Sequence, residues 1–489
     1  MTSVNAKRAL IHGAAWAIAM RWSIKGLGLV STLTLARLLT PGDYGLVAMS
    51  MLVVGLVYAV SDFGVAAGLL RMPSIERDDI DSAWTLGVMQ GIAVCSIIMV
   101  STPLAARYFH EPRIVPILLI IAVCNVISST CNIGLVVARK ELNFSLEYRF
   151  NVIAKLLGVI VTISAAFVLR DYRALVLGVA TGYIGGCILS YLMHPYRPRW
   201  NTSRIKAQWH FGRWIMVGGV GNYISRKTDE VLAGRVGGSH GLGIYSLGSE
   251  LGQMATGELG PPMLKALLPV LASLQQDKER LRQVINQTLA ALNTITLPAG
   301  VGLALVASSC VEIMLGNNWA ASAQYVAIFA LFGSVQIMMA PVQDLLIVKG
   351  FSRQSASVVW VEFSCFIVFS LLLIHYFGLV GLAYARLAAT IISACVSFRL
   401  GVVYGDLHAR DMLHALARPI AGCILMAGAI MLLGPRLAGI LPLVALIAKI
   451  LCGVAVYASW ILISWLVSGK PAGLEASIVQ TLKNRAASL

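Results

Sequence analysis

Charge is scarce in this chain. Of its 489 residues only 12% are Asp, Glu, Lys or Arg, while 58% are hydrophobic. A soluble domain is about 25% charged. A chain this apolar, with a mean hydropathy of +0.80, has no polar coat for water, so lipid must be its solvent. Acidic residues are scarcer than basic ones, 22 against 38. CxxC pairs and Cys/His metal spacings are absent, and all nine cysteines lie in apolar runs as small hydrophobes. Nothing therefore calls for a metal or a cofactor. There is no HExxH or Walker sequence, and neither an enzyme nor direct ATP coupling is expected. No gap on the far side of the membrane is long enough to form a domain. A cleavable signal is not evident either, because Arg21 and Lys25 interrupt the first apolar run.

What is present is a series of apolar runs of about 20 residues without strand-like alternation. They predict an all-α polytopic membrane protein with about 14 transmembrane helices, or as few as about 12 because two joins are tight. Those joins are His375–Gly378 and Pro435–Gly439. The net charge of +16 sits in the short gaps between runs, which reads as topology rather than as a nucleic-acid surface. Roughly 24 cations fall on the side of the N-terminus and roughly 7 on the other. That bias predicts a multi-pass membrane protein with both termini cytoplasmic.

His12, Trp16, Arg37 and Gly45 recur as His210, Trp214, Arg235 and Gly243, each shifted by 198 residues. Helices one and seven are thus expected to be counterparts in two pseudo-symmetric six-helix bundles, followed by two C-terminal helices. The expected divisions are a lobe over 1–195, a cytoplasmic linker over 196–213, a lobe over 214–405, and two more helices with a tail over 406–489. Parallel repeats of this kind are a transporter signature, with the substrate path between the halves.

Charges inside spans are costly in lipid and normally face a cavity or a partner. Arg21 and Lys25 share one face of helix one with Gly28 and Thr32. Such a cationic, small-residue stripe suits a water-filled cavity that attracts an anionic group. Snorkelling of a tilted helix is the alternative. Helix seven carries Arg226, Lys227, Asp229 and Glu230. Their spacing allows Arg226 to pair with Glu230 or Asp229, either as cavity lining or as a self-neutralised cluster. Asp62, Lys155 and Arg386 are further candidates for ion coupling or structural ion pairs, and Glu362 belongs in the same group. Most tryptophans near span ends, Trp319 among them, read as interface anchors.

The segment LARLLTPGDYGLVAM (Leu35 to Met49), with Arg37, Pro41, Tyr44 and Gly45, resembles the opening of Wzx-type polysaccharide exporters. So do SDFGVAAGLLR (Ser61 to Arg71), ARKELNF (Ala138 to Phe144) and the stretch from Asp229 to Pro269. The likeness is to the colanic acid and succinoglycan branch of the multidrug/oligosaccharidyl-lipid/polysaccharide superfamily. It implies two six-helix bundles plus two helices. It also implies export of undecaprenyl-diphosphate-linked repeat units of an acidic exopolysaccharide by alternating access. Arg21, Lys25, Arg226 and Lys227 match the expected cationic cavity. Implied partners are the lipid-linked oligosaccharide, membrane lipids, a polysaccharide polymerase and chain-length or export proteins. A peptidoglycan-precursor flippase and a cation-coupled drug antiporter are the alternatives within the superfamily. A membrane glycosyltransferase is the rival from another class.

Overall fold

A computed structural model describes residues 3–64, 68–69, 72, 75–141, 143–274, 277–437 and 439–467. The side chains of 3–12, 14, 206–215, 217 and 266 lie outside that description, and with them His12, His210 and Trp214 of the repeat. Part of the Ser61–Arg71 motif and the tail beyond Val467 are likewise outside it. The described elements are helical. Among the described residues, nine helices are long and apolar enough to cross a membrane, or ten if a pair bent by 58° forms one span. Large apolar side chains such as Val100, Val168, Leu192 and Leu432 point outward, as a lipid-facing surface requires.

The chain divides into two compact units, Met1–Gly243 and Ile244–Leu489. The 196–213 stretch lies within the first unit, which contains α1 (Ser3–Leu38), α2 (Pro41–Ser61) and α3 (Arg77–Phe109). It continues with α4 (Ile114–Ser129), α5 (Gly134–Lys140), α6 (Phe144–Leu169) and α7 (Arg173–Met193). α8 (Ile205–Ser273) follows, and the division between the units falls within it.

The TPGDYG stretch folds as a capped helix start. Thr40 is the N-cap of α2, Pro41 opens the helix, and Asp43 closes a reciprocal capping box with Thr40. The second carboxylate oxygen of Asp43 accepts from the Tyr172 N–H at 3.1 Å, and the Tyr44 hydroxyl donates to the Thr32 carbonyl at 3.3 Å. Gly45 meets the backbone of Ser239 and Gly243, while Gly243 meets the backbone of Pro41 and Gly45. A Cβ on either glycine would overlap a carbonyl oxygen. The contact is reciprocal, and Pro41 and Ser239 are themselves 198 residues apart. The repeat seen in the sequence therefore meets itself at a glycine crossing.

At the opposite end of the first unit, the chain between α7 and α8 is stitched to the start of α3. The Tyr196 hydroxyl and the Arg199 N–H both donate to Asp81, at 2.7 and 2.9 Å. The Asn201 N–H donates to Thr85 at 3.0 Å, and Asn132 donates to the carbonyls of His194 and Tyr196. His194 Nδ1 accepts from the Tyr196 N–H at 3.2 Å. Burial holds the His194 imidazole below its usual pKa, with Glu141 pulling the other way and Arg197 reinforcing the shift. The unfolded chain then binds this proton more tightly than the folded one. Stability is full above about pH 6.5 and falls as the pH drops below that value. Replacing His194→Asn should flatten the loss of melting temperature between about pH 6.5 and 5. A slope unchanged from the parent protein would refute the assignment.

The second unit contains α9 (Lys278–Met314), α10 (Ser322–Met338), α11 (Ala340–Val348), α12 (Ser352–Val403), α13 (Ala409–Leu433) and α14 (Pro442–Val467). α12 has 52 residues, about 78 Å of helix and more than twice the hydrocarbon thickness. It is broken at Gly378, whose φ of 56° admits glycine readily. Thr390 and Ser393 return to Glu362, so the two halves of α12 run antiparallel as a helical hairpin. One apolar core joins Leu281, Ile285 and Leu289 of α9 to Met412 and Leu416 of α13. A second joins Leu297 to Cys423, Met426, Tyr457 and Ile461. Trp319 is fully buried. It is a core residue and not the interface anchor its position near a span end suggested.

Candidate functional site

Helix α1 lies along α6, and the contacts between them set its rotation. The Trp16 and Tyr148 rings stand 5.0 Å apart, Ser23 Oγ lies 3.4 Å from the Tyr148 hydroxyl, and Asn151 reaches Met20 Sδ at 3.6 Å. At 100° per residue, the Arg21, Lys25, Gly28 and Thr32 stripe points about 140° away from that packed face. Arg21 is half-buried and Lys25 is exposed. No heavy atom of a described side chain or distant backbone lies within 4 Å of a Cβ built on Gly26 or Gly28. The stripe thus has open space beside it.

The same register brings a third cation to the depth of Lys25, on the neighbouring helix and not beside the stripe. Asn151 sits opposite Met20, so one turn later Lys155 comes level with Ile24 and Lys25. Lys155 is exposed and lies on the α6 face that meets α1. Sequence spacing could not reveal this, because it does not say which helices are neighbours.

On α8 the pairing differs from the expected one. Lys227, not Arg226, forms the ion pair with Glu230. Arg226 instead donates to Asn222 Oδ1 at 2.9 Å and remains exposed, while Asp229 is buried. Both i+3 and i+4 partners are within reach on a helix, and side-chain direction decides between them. The Tyr223 hydroxyl donates to the Leu52 carbonyl at 2.6 Å and fixes this part of α8 on α2. Counted back from the Gly45–Gly243 crossing, Arg226 stands about 10 Å along the helix axis from Arg21, with Lys25 and Lys155 between them. The first unit therefore carries cations at successive depths.

Other candidates fall elsewhere. Asp62 is the C-cap of α2, where it accepts from the Gly64 N–H at 2.8 Å. That is a helix end and not the middle of a span. Arg37 is exposed in the last turn of α1. Pro41, Tyr44 and Gly45 serve the α2 start described above. In the second unit, Arg386 is buried between the Phe332 and Phe366 rings, 5.4 Å from each centroid. Its guanidinium faces Glu362 at 3.9 Å, and that carboxylate also accepts from Thr390 and Ser393 at 3.2 Å each. The two phenylalanines and two hydroxyls carry no sequence signal beyond ordinary apolar periodicity. Among the described residues no group of three His, Cys, Asp or Glu side chains could hold a metal ion.

A helical chain with several apolar, membrane-length helices is a multi-pass membrane protein, and its relatives define its class as a transporter. The family model for polysaccharide biosynthesis proteins matches residues 34–324, more than half of the chain. The protein belongs to this family, the Wzx-type polysaccharide exporters. It is 24% identical to the lipopolysaccharide biosynthesis protein WzxC of Escherichia coli (strain K12), over 79% of this chain and 80% of that one. It is 20% identical to the succinoglycan biosynthesis transport protein ExoT of Rhizobium meliloti (strain 1021), over 65% of each. Its fold matches that of the lipid II flippase MurJ in an inward closed conformation with a TM-score of 0.72. That match has 13% identity and covers 92% of this chain and 99% of the other.

Proposed function

We propose that this protein moves lipid-linked oligosaccharide from the cytoplasmic to the periplasmic leaflet of a bacterial inner membrane, with both of its termini cytoplasmic. The substrate is an undecaprenyl-diphosphate-linked repeat unit of an acidic exopolysaccharide. The observation that carries this reading is the stepped set of cations on the first unit, Arg21, Lys25 and Arg226, with Lys227 beside Glu230. A sugar diphosphate cannot cross hydrocarbon unaided. A hydrated path lined by this wall replaces its water shell, and the cations offset the diphosphate charge while the polyprenyl tail stays in lipid. Cations at successive depths keep the anion accompanied as the path alternates its exposure.

The halves of α12, and of α8 about Gly238, each cross the membrane once in this reading, which gives about fourteen spans. Two six-helix lobes over 1–195 and 214–405, joined by 196–213 and followed by two helices from 406 onward, accommodate that count. Asp229, Glu230 and Arg386 act as structural ion-pair members, and a polymerase with its chain-length and export proteins receives the product.

Deleting the gene should abolish surface polysaccharide and leave lipid-linked repeat units on the cytoplasmic leaflet. Normal polysaccharide in the deletion strain would rule the reading out. Arg21→Ala and Lys25→Ala should each lower export about tenfold, because a charged hydrogen bond contributes about 1.5–3 kcal/mol. The protein should remain in the membrane at parental levels. Export at the parental rate in the double variant would remove the cationic wall from the mechanism.

A further inference from the structure

Helix α9 carries a proline within its length, Pro298. Proline has no N–H, so the carbonyl of Thr294, one turn back, loses its helical partner. The Tyr457 hydroxyl of α14 donates to that carbonyl at 2.9 Å. The two helices are pinned together at this level, and Leu297 shares a core with Tyr457 and Ile461. Beside the pin the facing residues are small: Ala299 and Gly302 on α9, Gly453 and Ala458 on α14. They leave a hollow of about 430 Å³ between α9, α13 and α14, a volume within the usual range for small-ligand sites. All three helices belong to the second unit.

The lining is apolar except at one end, where the half-buried Lys449 supplies its single charge. Lys449 and Tyr457 are about 12 Å apart along α14, so the hollow has an aromatic floor and a cationic mouth. The Lys449 ammonium lies 3.4 Å from Ser309 Oγ and forms no ion pair with a described residue. Glu312, one turn beyond Ser309, sits about 140° round α9 from the lining face and points elsewhere. Snorkelling toward the helix start at Pro442 would account for the lysine alone. It does not account for the space beneath it. An apolar hollow does not hold water, and its rim, with Ile450 and Val454 exposed, has a lipid-facing composition.

We propose that this hollow holds one acyl chain of an anionic phospholipid whose phosphate sits on Lys449. The chain runs from the cation toward the Tyr457 ring and packs against Val306 and Met426. The ammonium meets the phosphodiester as a point charge with donors to spare. One lysine matches the single charge of a phosphodiester, whereas a diphosphate carries more. The lipid is therefore resident and not cargo. It wedges the last two helices against α9 above the Tyr457 pin, and its binding does not depend on the transported substrate.

The test delipidates the full-length protein in detergent and titrates it with dioleoyl phosphatidylglycerol or dioleoyl phosphatidylethanolamine, followed by native mass spectrometry. The tightest-bound phosphatidylglycerol should hold about tenfold more strongly than phosphatidylethanolamine. Lys449→Gln should erase that preference, and Lys449→Arg should keep it. Gly302→Leu should weaken both lipids, because a carbon at Gly302 meets only Met426, at 3.8 Å, and the larger side chain fills the hollow. Glycerophosphoglycerol, the head group without chains, should not compete. Equal affinity of the parent protein for the two lipids would overturn the site, as would an unchanged preference in Lys449→Gln or competition by the chain-free head group. These readouts decide the matter even where Gly302→Leu folds poorly.

Discussion

Replacing Arg386 with alanine is expected to destabilise the second unit by about 3–5 kcal/mol, the range for removing one partner of a buried ion pair. Arg386 is 7% exposed and lies between two phenylalanine rings. Its removal takes the opposing guanidinium from Glu362 and leaves a carboxylate held by two hydroxyls. It also opens a cavity between Phe332 and Phe366 and forfeits the cation–π contacts. Lysine should not substitute well, because its compact ammonium cannot stack flat between the rings while reaching the carboxylate. The paired change Arg386→Met with Glu362→Leu should recover most of the loss, since apolar groups of similar volume often replace a buried pair without penalty. Thermal unfolding of the purified protein in detergent measures all three variants. A loss within about 1 kcal/mol for Arg386→Ala would mean that the pair contributes no more than a surface one.

The glycine crossing should be as intolerant. Gly45→Val and Gly243→Val should each strip most folded protein from the membrane. At both positions the added carbon would meet a backbone carbonyl, Ser239 in one case and Pro41 in the other. A flexible side chain could move aside, but the capped start of α2 cannot do so without losing its hydrogen bonds. Overpacking of an ordinary core already costs about 1–3 kcal/mol, and here both surfaces are backbone. Gly221→Ala is the control, because a Cβ there has nothing within 4 Å. It should be neutral or stabilising, given the better helix propensity of alanine. The yield of monodisperse protein after extraction, with its melting temperature, separates the cases. Parental yield for Gly45→Val would show that the two backbones do not touch.

Much of this fold is legible in the sequence. Apolar run length gives the all-helical membrane class and nine or ten of the spans among the described residues, and the tight join at His375–Gly378 coincides with the break in α12. The 198-residue shift picks out Gly45 and Gly243 before their contact is known, because a close backbone approach permits only glycine at both copies. The site is less legible. Arg226 and Lys227 are adjacent in the chain, and only side-chain direction assigns Glu230 to one of them. Lys155 comes level with Lys25 on a helix neighbour 130 residues away, which no local pattern encodes. Trp319 and Trp360 have the same sequence character, yet one is fully buried and the other is exposed. Hydropathy ranks residue types and does not say which face of a helix its neighbours cover.

The stitching of 196–204 onto the start of α3 has a mechanical consequence. The bonds join the α7–α8 connection to Asp78, Asp81, Ser82 and Thr85 within about two turns of helix. Arg204, next to the first residue of α8, also pairs with Glu76. The connection therefore acts as a short crank with no slack. A tilt of α3 is delivered to the foot of α8, the helix that carries Arg226 and Lys227. Lengthening the crank by a few residues would let the two helices drift independently without altering any charge.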